Sequence, residues 1–290
     1  MPLIQATSTR VWLITGASSG FGRLLTERVL AEGEISVAAL RTPSDLHDLA
    51  AANPERLLLV KCDVTNSADI HSAFADAVEK FGRVDVVFNN AGYALVAEVE
   101  GLADDAARAL FEVNFWGALN VSKEAVRVFR DVNRPAGGHL LTMSSEAGLS
   151  GTPAMGIYSA SKHALEGLTE ALSLEMDPTW NIKISIIAPG AFKTGAHTDP
   201  KRTPVFPAPE AYHAALPSHA VRHFVQDGSY IRGDPRKAVE AIFRFSKLES
   251  PPLRWVVGKD SGIRAKAKLE KMVAELDEFA SWSEDLDLTT

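Results

Sequence analysis

"VWLITGASSGFG", residues 11–22, sets five large or β-branched residues directly before three glycines spaced G-x-x-x-G-x-G. The first five read as a buried strand, and the glycine-rich residues after them read as the opening of a helix. Gly16, Gly20 and Gly22 then sit where strand becomes helix, a junction that calls for a tight turn. Backbone bare of side chains can approach a pyrophosphate there, and the helix N-terminus stabilises the anion. The commoner G-x-G-x-x-G spacing is not met, so the reading draws its force from the position after the first strand.

The same rhythm recurs along the chain. Apolar runs fall at 11–15, 35–40, 57–61, 84–88, 139–144, 182–187 and 253–257. Between them, 67–81, 103–131, 157–176, 235–247 and 261–280 repeat apolar residues three and four apart, as helices do. Unbroken hydrophobic strands at βαβ spacing predict an α/β fold. Its doubly wound parallel sheet would have about seven strands, helices on both faces and a single domain over 1–290. Residues 195–234 break the pattern with five prolines among aromatics and histidines. An insertion of that length predicts a lid or binding segment. The first eight residues and the acidic end "SEDLDLTT" are expected to be disordered.

Composition narrows the partners. Hydrophobic residues at 46% and charged residues at 23% are those of a soluble globular protein. A net charge of −7 without a basic block argues against nucleic acid or an anionic membrane as the main partner. Cys62, the single cysteine, forms no internal disulfide and reads as a buried, reduced thiol, which fits the cytoplasm. "MPLIQATSTR" lacks a signal-peptide apolar core, and no run approaches the ~20 residues of a membrane span. A soluble, untargeted chain is expected.

The second strand bears on the cofactor. It ends "AALRTPSD", offering Arg41 and no carboxylate until Asp45. An acid near this point holds the ribose 2′-hydroxyl of NAD, whereas the 2′-phosphate of NADP needs positive charge. A guanidinium grips phosphate by paired hydrogen bonds, so NADP(H) is the expected cofactor.

"YSASK" places Tyr158 and Lys162 four residues apart, which alone is a common coincidence. Its weight comes from "NNAG" (89–92), "MSS" (143–145) and "APGAFKT" (188–194), each at the end of a predicted strand, where open α/β sheets bind ligands. With "TGASSGFG", these residues resemble the short-chain dehydrogenase/reductase family from about Val11 to Thr194, and the implied fold is Rossmann-like. Variant markers such as "GFG" look most like its retinol dehydrogenase and 17β-hydroxysteroid dehydrogenase branch. The resemblance implies Ser145, Tyr158 and Lys162 as catalytic residues and Asn114 as the fourth, supporting a water that links Lys162 to solvent. It implies cofactor contacts at Gly16, Ser18, Ser19, Gly20, Phe21 and Gly22, and an adenine contact at Asp63 with Val64. On the nicotinamide side it implies Asn90, Ala91, Gly92, Pro189, Gly190, Phe192 and Thr194, with Tyr158 and Lys162 also touching the cofactor.

The residue chemistry agrees with an enzyme interconverting a ketone or aldehyde and an alcohol. A phenol of pKa ~10 next to an ammonium is expected to titrate lower, nearer the pH at which acid–base catalysis is efficient. Ser145 would hydrogen-bond the reacting oxygen as charge develops. Phe206, Tyr212 and Phe224 in the insertion, with Leu149 and Met155, suggest an apolar substrate. A nonenzymatic NADP(H)-binding sensor or scaffold on the same fold is the competing reading, and Ser145, Tyr158 and Lys162 weigh against it. Nucleotide-sugar epimerase or dehydratase chemistry also uses a Tyr-x-x-x-Lys pair, but those relatives resemble T-G-x-x-G-x-x-G and are longer. His219 and His223 stand four apart without an H-E-x-x-H or C-x-x-C, so no metal is expected. Homo-oligomers are common in the family, and 103–131 is the expected interface.

Overall fold

The computed structural model describes residues 9–195, 203–228, 231–284 and 286–288, and among these seven strands alternate with nine main helices. The strands are β1 (Val11–Thr15), β2 (Ile35–Leu40), β3 (Leu57–Lys61), β4 (Val86–Asn89), β5 (Gly138–Met143), β6 (Ile182–Pro189) and β7 (Arg254–Val257). The helices are α1 (Gly20–Ala31), α2 (His47–Ala51), α3 (Ser67–Phe81), α4 (Asp104–Phe111), α5 (Ala118–Arg127), α6 (Gly156–Leu174), α7 (Pro217–Asp227), α8 (Pro235–Phe245) and α9 (Lys259–Glu278). Residues 1–8, and 196–202 and 229–230 of the insertion, lie outside the described residues, as do 285 and 289–290.

Side-chain alternation in β1 sets the layers. Trp12 and Ile14 join Leu25 and Val29 of α1 and Val239, Ile242 and Phe243 of α8 in one core. Val11 and Leu13 point the other way, into a second core with Ile70, Phe74 and Ala77 of α3 and Val121 and Ala125 of α5. Trp12 has no exposed surface and stacks on Phe243 at 5.7 Å. Truncating a side chain buried to that degree costs about 3–5 kcal/mol.

All pairings are parallel, in the order β3-β2-β1-β4-β5-β6-β7. The winding reverses between β1 and β4, so the crevice of this sheet opens at their carboxyl ends. Helix ends follow local chemistry. Asn66 caps α3 by accepting from the Ala68 amide, and Gly82 closes it at φ 80. Asp234 caps α8 ahead of Pro235.

The expected helix 103–131 is interrupted. Between α4 and α5 lies a π-helical segment, Glu112–Gly117, and a second, Val128–Val132, follows α5. Asn114 and Gly117 are the buried residues of the first. Gly117 backs onto Val64, where a Cβ would come within 2.9 Å of that residue's Cγ2 and carbonyl oxygen. Extra residues in a helical turn are common where one side chain must be re-aimed.

The insertion is stitched to the body. The Val96 amide donates to Pro204 at 2.9 Å and the Phe206 amide to Val96 at 2.9 Å. The Lys193 amide donates to Gly233 at 2.8 Å. It also holds α7, which the strand-and-helix rhythm of the sequence does not reveal.

Candidate active site

The glycine turn follows β1 as expected, with Gly16 at φ 65 and Gly20 at φ 53. A Cβ on Gly22 would come within 2.4 Å of the Gly16 carbonyl, so the first turn of α1 closes tightly on the loop. A Cβ on Gly16 would meet Ala91 Cα at 3.0 Å, which places the loops after β1 and β4 in contact. Thr15 ties them: its hydroxyl accepts from the Asn90 and Ala91 amides at 2.9 and 3.0 Å, and its carbonyl accepts from Asn90 Nδ2 at 2.9 Å. Ser18 and Ser19 are half-buried on the turn, and no acid lies in the first turn of α1. The orphan amides of that turn, with no acid beside them, are donors of the kind a dinucleotide pyrophosphate needs.

The other expected contacts border this crevice. Phe21 packs edge-on against Phe192 at 5.6 Å, and a Cβ placed on Gly20 would lie 3.7 Å from Thr194 Cβ. Pro189 ends β6, and the Gly190 amide donates to Val257 at 3.0 Å. Arg41 is exposed directly after β2 and, among the described residues, forms no ion pair. Asp63 accepts from the Thr65 amide at 3.0 Å and its hydroxyl at 2.8 Å. Those two bonds, with the nearby Arg41 charge, hold its carboxyl below the ordinary value despite some burial.

Ser145 follows β5, and its hydroxyl accepts from the Ala147 amide at 3.1 Å and lies close enough to the Tyr158 phenol to act on it. Tyr158 stands in the first turn of α6, with Lys162 one turn later and its Nζ 6.0 Å from the phenol ring centre. The lysine is 4% exposed and donates to the Met143 carbonyl at 2.8 Å. The expected lowering of the phenol by the ammonium does not appear in this arrangement. Burial raises the phenol above its ordinary value, and the neighbouring Ser145 hydroxyl only partly opposes it. The lysine responds instead: burial brings it down to about 8, against the pull of Glu166.

Asn114 lies fully buried beside this group. Its Oδ1 accepts from the Tyr93 amide at 3.0 Å, and its Nδ2 donates to the Tyr93 carbonyl at 2.9 Å and to Ser161 Oγ at 3.2 Å. The side chain is thus engaged by backbone and serine, and what it fixes is the loop after β4. Gly92 fills the gap, since a Cβ there would sit 3.0 Å from Asn114 Oδ1 and 3.7 Å from Lys162 Nζ.

Two buried groups were not singled out by sequence reasoning. Glu166 is 3% exposed, one turn beyond Lys162. It accepts from Ser144 Oγ at 2.6 Å and Arg254 Nε at 2.8 Å, joining the ends of β5 and β7 to α6. The i, i+4 continuation Tyr158, Lys162, Glu166 was the available signal. The second is Glu98, paired with Arg222 of α7. Nothing local announces a pair separated by 124 residues. Phe206 packs in the cluster that holds Tyr158, while Phe224 and Met155 pack with Val96 and Ala154 and anchor the insertion to the body. His219 bonds the Tyr212 carbonyl at 2.6 Å, and among the described residues no group of three or more His, Cys, Asp or Glu could hold a metal.

Known proteins resemble this chain in sequence and fold. The family model described as short chain dehydrogenase matches residues 10–204. An uncharacterized oxidoreductase of Schizosaccharomyces pombe, C162.03, is 38% identical over 250 residues, covering 86% of this chain and 82% of its own. A short-chain dehydrogenase structure from Streptomyces avermitilis superposes with a TM-score of 0.87 at 35% identity, over 98% of this chain and all of that one. A short-chain dehydrogenase/reductase from Burkholderia phymatum, solved with NAD, gives a TM-score of 0.74 at 25% identity, covering 94% and 97% of the two chains. The family model spans more than half of the chain and the overall fold is that of solved short-chain dehydrogenases, so the chain belongs to the short-chain dehydrogenase/reductase family.

Proposed function

We propose that the protein is an NADP(H)-dependent oxidoreductase that interconverts a ketone or aldehyde and an alcohol, working reductively on an apolar carbonyl compound. The observation that carries the reading is the convergence of Ser145, Tyr158 and Lys162 beside the glycine crevice. The bare turn at Gly16, Gly20 and Gly22 fits the pyrophosphate of a nicotinamide dinucleotide, with Asn90, Ala91, Gly92, Pro189, Gly190, Phe192 and Thr194 on the nicotinamide side. The chemistry supplied by the bound cofactor is hydride transfer to the carbonyl carbon.

Tyr158 donates the proton to the carbonyl oxygen. A phenol raised by burial stays protonated at neutral pH, which suits it to the acid role in reduction. Ser145 holds the same oxygen by a hydrogen bond that strengthens as negative charge grows. Lys162, fixed on the Met143 carbonyl, keeps a positive charge next to the phenol and the ribose position. Asn114 is a positioning residue that holds the loop of Gly92 and Tyr93 against that lysine.

Arg41 supports the 2′-phosphate and hence NADP(H) over NAD(H), although the relative from Burkholderia phymatum was solved with NAD. The 195–234 segment serves as a lid, and Phe206, packed against the same apolar cluster as Tyr158, supports an apolar substrate. The buried thiol of Cys62, pushed up to about 12 mainly by burial, suits a reducing cytoplasm. NADPH consumption against a panel of ketones and aldehydes tests the reading. Tyr158→Phe is expected to bind NADPH normally and to lose at least ~100-fold in kcat, in line with the usual worth of a positioned acid. Near-normal turnover would overturn the assignment.

A further inference from the structure

The C-terminal helix is built to be covered by something other than its own body. Ser261 and Ala265 are the buried residues of α9, and every described residue from Lys266 to Leu288 is exposed. Leu269, Met272, Val273, Leu276 and Phe279 are 45–70% exposed, and Trp282, at 77%, packs edge-on against Phe279. A helix gains little stability from propensity alone, and isolated lengths below about 12–15 residues are marginal in water. The surface pairs Lys266–Glu270 and Lys271–Glu275 contribute little by comparison.

Spacing and charge name the occupant. Leu269, Met272, Leu276 and Phe279 recur at three, four and three residues, the seam of a coiled coil. Residues 259–271 hold five cations and two acids, whereas 272–288 hold six acids and no cation. A parallel copy would set acid against acid. An antiparallel copy sets the basic half against the acidic half and closes about a two-fold axis, the commonest symmetry of homo-oligomers. The acidic half is ill suited to anionic lipid.

We propose that α9 pairs antiparallel with α9 of a second copy of this chain, making a homodimer outside the catalytic crevice. In this register Leu269 faces Phe279 of the partner subunit, Met272 faces Leu276 of the partner subunit, and Val273 lies near the axis. The surface differs from the 103–131 face expected from the sequence.

Sedimentation velocity of the full chain at tens of micromolar tests the pairing. The wild type is expected to be a dimer, and Leu269→Glu/Leu276→Glu to raise its dissociation constant at least ~100-fold, because each burial of an unpaired charge is costly. The variant's NADPH binding, measured in parallel, reports whether the body remains folded. Orientation is read by disulfide trapping: Leu269→Cys chains mixed with Phe279→Cys chains are expected to cross-link to each other more than to themselves. A monomeric wild type, a dimer unchanged in the double glutamate variant, or preferential self-linking at 269 would each overturn the proposal. So would sedimentation of wild-type monomer with phosphatidylcholine–phosphatidylserine vesicles.

Discussion

Glu166 lies almost wholly buried between Ser144 and Arg254, and its charge acts on Lys162 one turn away. Replacing it with glutamine keeps the shape and removes the charge. Arg254 then retains only Glu170, and breaking a buried pair costs about 3–5 kcal/mol, an upper figure here because Arg254 is partly exposed. Lys162 sits at about 8 with the carboxylate present, so its loss is expected to bring the ammonium lower still. Glu166→Gln should lower the melting temperature and move the alkaline limb of the kcat profile to lower pH. An alkaline limb that stays in place would show that the carboxylate only packs. Arg41 makes the complementary case at the surface. Arg41→Asp removes a charged partner worth about 1.5–3 kcal/mol to a phosphate and adds repulsion. NADPH affinity should fall at least ~10-fold more than NADH affinity, and equal losses by titration would refute the proposed preference.

At the scale of elements, a buried ion pair adds to the packing of Val221, Phe224 and Val225 in binding α7 to the body. Arg222 donates from Nε to Glu98 at 2.9 Å, pairs with it again through Nη2, and reaches the Phe206 carbonyl from Nη1 at 2.5 Å. Arg222→Leu strands Glu98 as a buried charge, a loss of about 3–5 kcal/mol. Hydrogen exchange should rise selectively over 217–227, with KM rising more than kcat falls; uniform protection would refute the latch. Adding Glu98→Leu should recover much of the loss, since apolar replacements of a buried pair are often neutral. The latch also marks the boundary of what the sequence shows. Strands at 11–15, 35–40 and 57–61 and the helix at 67–81 are legible to the residue because two-faced burial leaves continuous apolar or amphipathic runs. Ser145, Tyr158 and the glycine turn are legible because their spacing is local. The Glu98–Arg222 pair, the Glu166–Arg254 link and the π-helical segment around Asn114 depend on contacts between distant elements. The helix α7 itself carries start and stop signals, Pro217 in its first turn and Gly228 at φ 60, but the prolines before it mask them.

For the whole molecule, two buried groups make the fold acid-labile over different ranges. His139 on β5 is 4% exposed, bonds Ser185 Oγ at 3.1 Å, and is pushed down to about 3, first by burial and then by the nearby Lys183 charge. The folded state keeps the ring neutral while the unfolded chain protonates near 6.5, so between those values the unfolded state binds more protons. The His139 contribution is therefore full above about pH 6.5 and declines as pH falls toward 3, by up to roughly 5 kcal/mol. Glu98 is held at about 2, chiefly by its hydrogen bonds from Arg222. Its contribution is present above the unfolded value near 4.5 and is lost as pH drops through 2. The melting temperature should be level between about pH 6.5 and 8, below the window in which Lys162 titrates, fall below pH 6.5, and fall more steeply below 4.5. His139→Asn should flatten the upper decline and leave the lower one in place, because Glu98 and Arg222 belong to the α7 latch and not to β5. A wild-type curve level between pH 6.5 and 4.5 in differential scanning calorimetry would show that the imidazole gains a partner for its proton in the fold.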